Sequence, residues 1–147
     1  MENNVIISIQ GKQSFEGVEE ETIDLITEGR LDAEADGHFT LSYQESELTG
    51  LEGTLTTFQI ERGRVTLLRM GSVNSEMVFE EGRRHLSMYE TPYGAMSLGV
   101  NTRKMKTQLD AAGGSIEIDY AIEINHEVAG RNLFNIHVRE KGTPIKQ

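Results

Sequence analysis

From Ser115 to Ile124 the chain reads SIEIDYAIEI, with Ile116, Ile118, Tyr120, Ile122 and Ile124 on one parity and Ser115, Glu117, Asp119 and Glu123 on the other. A period of two gives one dry and one wet face only in an extended strand, so the segment predicts a half-buried β-strand. Similar alternation recurs along most of the chain. Val5, Ile7 and Ile9 share a face over Asn3 to Gln10, Ile23 and Leu25 share one over Glu20 to Ala33, and Phe39, Leu41 and Tyr43 share one over His38 to Glu45. Arg131 to Glu140 places Phe134, Ile136 and Val138 on one side and Leu133, Asn135, His137 and Arg139 on the other.

Turn-forming residues punctuate these runs. Gly63 and Gly82 each follow a charged residue between two short strand candidates, Thr54 to Glu61 with Arg64 to Met70, and Glu76 to Glu80 with Arg83 to Glu90. Both read as tight hairpins whose glycine takes a positive φ. Thr91-Pro92-Tyr93-Gly94 reads as a turn into Ala95 to Val100, because proline presets φ and glycine relieves the next steric demand. Asn101 to Ala111 and Ser115 to Ile124 form a further hairpin over Ala112-Gly113-Gly114. Polar connections are expected around Gly11 and Gly17, over Ser46 to Gly53 with Leu48 and Leu51 under the barrel end, and over Asn125 to Gly130. Gly29, inside the second strand, marks a bulge or a sharp bend. Val18 to Leu31 has some amphipathic helical character, but Thr22, Ile23, Ile26 and Thr27 are β-branched and Gly29 interrupts them, which favours strand.

About ten antiparallel strands in one domain rarely stay flat, and closure removes exposed edges, so an all-β closed barrel spanning 1–147 is the expected fold. Without cysteine, a disulfide framework, a thiolate zinc site and a cysteine nucleophile are excluded. No apolar run approaches the roughly 20 residues that span a bilayer, and no basic segment leads into an apolar core at the N-terminus, so neither membrane insertion nor export is expected and the cytoplasm is the expected location.

Charge changes the picture of partners. With 24 acidic residues against 14 Lys plus Arg, the net charge is −10, which argues against a nucleic-acid partner. Residues 16–36 carry nine acids with Arg30 as the one cation, whereas cations outnumber acids from Arg62 to Lys106. These stretches are solvated strand faces, or they meet within one barrel or across a homodimer.

The run from Arg69 to Thr102, RMGSVNSEMVFEEGRRHLSMYETPYGAMSLGVNT, has Arg69, Gly71, Phe79, Tyr89, Gly94 and Thr102 at intervals that resemble the YwiB-like family of small bacterial proteins. The likeness extends to the N-terminal strand pair and to KMKTQLDAAGGSIEIDYAIEI. It implies a lipocalin-like, or calycin, β-barrel with an interior cavity, and barrels of eight or more strands can hold a small ligand. It carries no catalytic residue set.

Arg69, Tyr89 and Thr102 are therefore the candidate ligand-binding residues. Val65 and Leu67 precede Arg69 at a spacing of two, so if their face is interior its guanidinium needs an anionic or carbonyl partner, either a ligand head group or a barrel-end ion pair. Tyr89 shares a face with His85 and Ser87, opposite Leu86 and Met88, and parity alone leaves open which set points inward. His38, His85, His126 and His137 lack metal-ligand spacing, and no GxSxG, GxGxxG or P-loop occurs, so no metal, cofactor or catalytic group is expected. The functional expectation is a barrel that binds a small apolar or amphipathic molecule. The alternative is an interaction or self-association module with a filled interior.

Overall fold

The computed structural model describes residues 2–14, 20–46, 52–71, 74–91 and 93–141, with residues 2, 3 and 88–91 described by backbone alone. Ten strands follow one another: β1 (Glu2–Ser14), β2 (Glu21–Ala33), β3 (Phe39–Gln44), β4 (Leu55–Glu61), β5 (Arg64–Met70), β6 (Ser75–Phe79), β7 (Arg84–Thr91), β8 (Gly94–Asp110), β9 (Gly113–Ile124) and β10 (Glu127–Glu140). One 3-10 turn, Ala35–Gly37, links β2 to β3. All ladders are antiparallel, in the order β6-β5-β4-β3-β2-β1-β10-β9-β8-β7. The first and last strands of the chain are neighbours, with Ile7 opposite Val138, and the sheet curls into a nearly closed barrel. Segment 18–31, where it is described, is strand and not helix.

The interior is what the alternation predicts. Val5, Ile7, Leu41, Val65, Leu67, Phe79, Ile116, Ile118 and Ile136 are almost wholly buried, and their polar neighbours in sequence are more exposed, with the exception of Thr66, which is buried between Val65 and Leu67. Each such side chain stabilises the fold by roughly 1.5–3 kcal/mol relative to exposure.

Several boundaries differ from the sequence expectation, each for a physical reason. β1 runs through Gly11 to Ser14, because it pairs on both sides over that stretch and the missing Cβ of Gly11 makes room for the Phe134 ring. The segments 95–100 and 101–111 form one strand, β8, with a register shift between Thr102 and Lys104. The connection expected over 125–130 is a tight turn, since Asn125 (φ 50°) and His126 (φ 72°) take the left-handed conformations of a two-residue hairpin loop. Gly29 makes no bulge: it sits in unbroken register opposite Val5, next to the end of the β2–β3 ladder, where its missing Cβ leaves room for the Ser42 carbonyl. Gly17, Leu48 and Leu51 lie outside the described residues.

The segment over Glu81-Gly82 is the main departure. β6 pairs with β5 and β7 with β8, and among the described residues no ladder joins β6 to β7. The turn between them docks on β8 instead, with Gly82 N–H donating to the Thr102 carbonyl (2.9 Å) and Thr102 N–H to the Arg83 carbonyl (3.2 Å). The seam of the barrel therefore falls between two strands adjacent in sequence. Glu80 bridges it, reaching His85 Nε2 at 3.0 Å, Arg83 at 3.6 Å and Arg64 of β5 at 3.7 Å.

Candidate binding site at the polar end of the barrel

Two arcs of polar side chains line one end of the interior. Register places Gln13, Asn132, Tyr120 and Thr102 side by side across β1, β10, β9 and β8. On the other wall, Tyr43, Thr56 and Arg69 stand abreast on β3, β4 and β5, and Glu45 follows just beyond β3, its N–H bonded to the Thr54 carbonyl at 2.9 Å. Five of the six described buried polar side chains, Glu45, Thr54, Thr56, Thr102 and Asn132, belong to this end; the sixth, Thr66, lies in the middle of β5.

The polar groups are only partly satisfied. Asn132 Nδ2 donates to the Tyr120 hydroxyl at 3.0 Å, and Thr56 Oγ1 donates to Glu45 Oε2 at 2.5 Å. Arg69 Nε lies 3.9 Å from Glu45 Oε2, which is ion-pair distance without a hydrogen bond. Glu45 Oε1, Arg69 Nε, Thr54 Oγ1, Thr102 Oγ1 and Asn132 Oδ1 are buried and have no hydrogen-bond partner among the described residues. An unsatisfied buried polar atom costs about 1–3 kcal/mol, more when charged, so such a cluster holds unused hydrogen-bonding capacity for water or a ligand. Burial holds both phenols in their neutral form. It pushes Tyr43 well above its ordinary 10, reinforced by the Glu45 charge, and it pushes Tyr120 up to about 12 against the opposing Asn132 hydrogen bond and Arg69 charge.

Next to this ring lies a cavity of about 440 Å³ lined by Ile9, Gly11, Gln13, Ile23, Asp24, Leu25, Tyr43, Glu45, Phe58, Arg69, Phe134 and Ile136. β2 and β3 pair only over Arg30–Ala33 with Phe39–Ser42, and among the described residues no ladder joins the start of β2 to β3. Ile23, on the inward parity of β2, is consequently 47% exposed at the mouth. The volume lies within the range of small-molecule sites, about 300–1,000 Å³, and an apolar wall with a few convergent polar groups is the usual composition of one. The depression over Lys104, Lys106, Glu117 and Asp119, by contrast, is a charged outer face of β8 and β9.

The family described as "Domain of unknown function (DUF1934)" matches residues 7–136. This chain belongs to the DUF1934 family. It is 26% identical over 102 residues to the "Uncharacterized beta-barrel protein YwiB" of Bacillus subtilis (strain 168), covering 69% of each chain. The crystal structure of the ywiB protein from Bacillus subtilis superposes with a TM-score of 0.84 at 22% identity, over 97% of this chain and 94% of that one. The likeness seen between Arg69 and Thr102 thus holds at the level of family and barrel.

In this DUF1934 barrel the three candidates fall in different places. Arg69 is where parity put it: Val65 and Leu67 are buried, and Arg69 follows them inward to line the cavity with its side chain a quarter exposed. Thr102 is fully buried in the polar ring opposite Tyr120, but it does not line the cavity. The backbone of Tyr89 pairs with Met96 in β7, and its side chain lies outside the described residues. On the same strand His85 and Ser87 are half-buried and Leu86 is 55% exposed, so at these three positions the more buried side chains are the polar ones. Among the described residues no three His, Cys, Asp or Glu side chains are grouped to hold a metal ion.

Sequence reasoning missed Tyr43, Glu45 and Asn132 as site residues. Parity contained the signal: Glu45 continues the dry face of Leu41 and Tyr43, and Asn132 that of Phe134 and Ile136. A polar residue on a dry parity is the pattern to search for.

Proposed function

We propose that this chain is a calycin-type binding protein of the cytoplasm that takes up a small apolar or amphipathic molecule through the lateral mouth between β2 and β3. The observation that carries this reading is the apolar cavity of about 440 Å³ abutting buried polar atoms without partners. A ligand's hydrocarbon body would lie against Ile9, Leu25, Phe58, Phe134 and Ile136, and its polar end would meet Arg69. The role proposed is binding without chemical conversion, carried by the apolar wall of the cavity.

The test uses the neutral apolar dye Nile red. Wild-type protein should bind it saturably, and Leu25→Trp, which fills the mouth from a half-buried position, should weaken binding at least about tenfold, or 1.4 kcal/mol, with the melting temperature preserved. Equal binding by both proteins would place the dye elsewhere and refute the site. Absence of binding in the wild type would favour a filled interaction module instead.

A further inference from the structure

Resting on the ligand-binding reading, we propose that the site selects amphiphiles with an uncharged hydrogen-bond-accepting head group, such as an amide, ester or ketone, and rejects those ending in a carboxylate. An arginine inside a barrel mouth suggests an anion receptor at first sight. Here, however, the counter-charge is built in. The Glu45 carboxylate lies 3.9 Å from the Arg69 guanidinium, and its side chain is 1% exposed. One oxygen accepts from Thr56, the Tyr43 phenol lies beside the carboxylate, and Oε1 has no hydrogen-bond partner among the described residues. The pair is therefore close to neutral as seen from the cavity, with an incompletely compensated negative charge behind the cation.

A carboxylate head group on Arg69 would be desolvated beside a second, buried carboxylate, and like charges in a low-dielectric site disfavour each other strongly. A neutral acceptor takes the same hydrogen bonds from the part of the guanidinium that faces the cavity, without that repulsion. Of the guanidinium nitrogens, Nε is the one sealed off and unpartnered, so the terminal nitrogens are the donors available to a ligand. Asp24, on the rim of the mouth, and the net charge of −10 act in the same direction on an approaching anion.

The experiment is displacement of Nile red by octanamide, octanoate and octylamine at neutral pH, which share one chain and differ in the head group. Wild-type protein should bind octanamide at least about tenfold tighter than octanoate, a difference of 1.4 kcal/mol. Glu45→Gln removes the buried charge while keeping an oxygen for the Thr56 hydroxyl, and it should tighten octanoate about tenfold or more, erasing or inverting the preference. Arg69→Met, at a partly exposed position that can be truncated without opening the core, should weaken octanamide and shift the preference towards octylamine. Octanoate bound as tightly as octanamide by the wild type, or a head-group order unchanged in both variants, would overturn the inference while leaving the site in place. Failure of Nile red itself to bind would overturn the binding reading and this inference together.

Discussion

Gly29 sits just beyond the last β2–β3 pair, Arg30 with Ser42, where the two backbones approach closely before they part. Its φ is ordinary, so the requirement for glycine there is one of space. A Cβ added at this position would run into the Ser42 carbonyl oxygen, would lie 2.5 Å from Ile7 Cδ1 and would press on Tyr43 Cβ at 3.3 Å. The Ile7 methyl is the end of a flexible side chain and can rotate away. The Ser42 carbonyl is backbone, and it can move only if β3 moves. Gly29→Ala should thus behave as an overpacking substitution, costing about 1–3 kcal/mol. For a domain of this size that lowers the melting temperature by roughly 2–4 °C per kcal/mol.

Urea denaturation should show a reduced midpoint with an unchanged slope, because the surface exposed on unfolding stays the same. The double variant Gly29→Ala with Ile7→Val identifies the offending atom. If the backbone contact dominates, the second change adds its own cost of about 0.5–1.5 kcal/mol and recovers nothing. Recovery of most of the loss by Ile7→Val would refute the argument, since the clash would then be with a side chain and not with the Ser42 carbonyl. A melting temperature within about 1 °C of wild type for Gly29→Ala would refute the close approach itself.

Much of the fold was legible because a half-buried strand writes its two faces into alternate residues, as β9 does over Ile116–Tyr120 and β10 over Ile136–Arg139. Hairpins were legible where conformation is local, as at Gly63, whose φ of 79° joins Glu61 to Arg64 in register. The segment at Glu81-Gly82 carries the same local signal, and Gly82 does take φ 76°, yet its strands do not pair. Their partners were decided by β5 and β8 on either side, and a short window of sequence contains no information on which distant strand wins. The site divides in the same way. Parity with Val65 and Leu67 sends Arg69 inward, and parity also sends Glu45 and Asn132 inward. That Glu45 would meet Arg69, and Asn132 would meet Tyr120, depends on the registers of β3 with β4 and β5 and of β9 with β10, which arise only once the sheet has closed.

Two further outcomes follow from the electrostatics. Arg84 reaches across Gly99 to hold Glu123 in a two-pronged pair, Nε to Oε2 at 2.8 Å and Nη2 to Oε1 at 2.9 Å, and these hydrogen bonds hold the Glu123 carboxyl below its ordinary range. Its stabilising contribution is present above the unfolded carboxyl value and is lost as pH falls through the folded one; an NMR titration in Arg84→Gln should move Glu123 back up, and an unmoved titration would show that the pair does not form in solution. Tyr120 gives the opposite sign at the other end of the scale. Its phenol is neutral in the fold up to about pH 12, whereas in the unfolded chain it ionises near its ordinary 10, so the unfolded state loses its proton first. Stability from this group is whole below about pH 10 and declines as pH rises from there to about 12, by about 2–3 kcal/mol. Tyr120→Phe cannot ionise, but it strips Asn132 Nδ2 of its acceptor beside an Oδ1 that already lacks a partner, a loss of about 1–3 kcal/mol at neutral pH. The variant should therefore be the less stable protein at pH 7, and the gap should close with rising alkalinity as wild type alone bears the cost of keeping the phenol protonated. Lysine and Tyr43 titrations are common to both proteins and cancel in the difference. Urea midpoints measured for the two proteins across this range should converge; parallel curves would mean that the Tyr120 hydroxyl is reached by water, and that the polar end of the barrel is wet in solution.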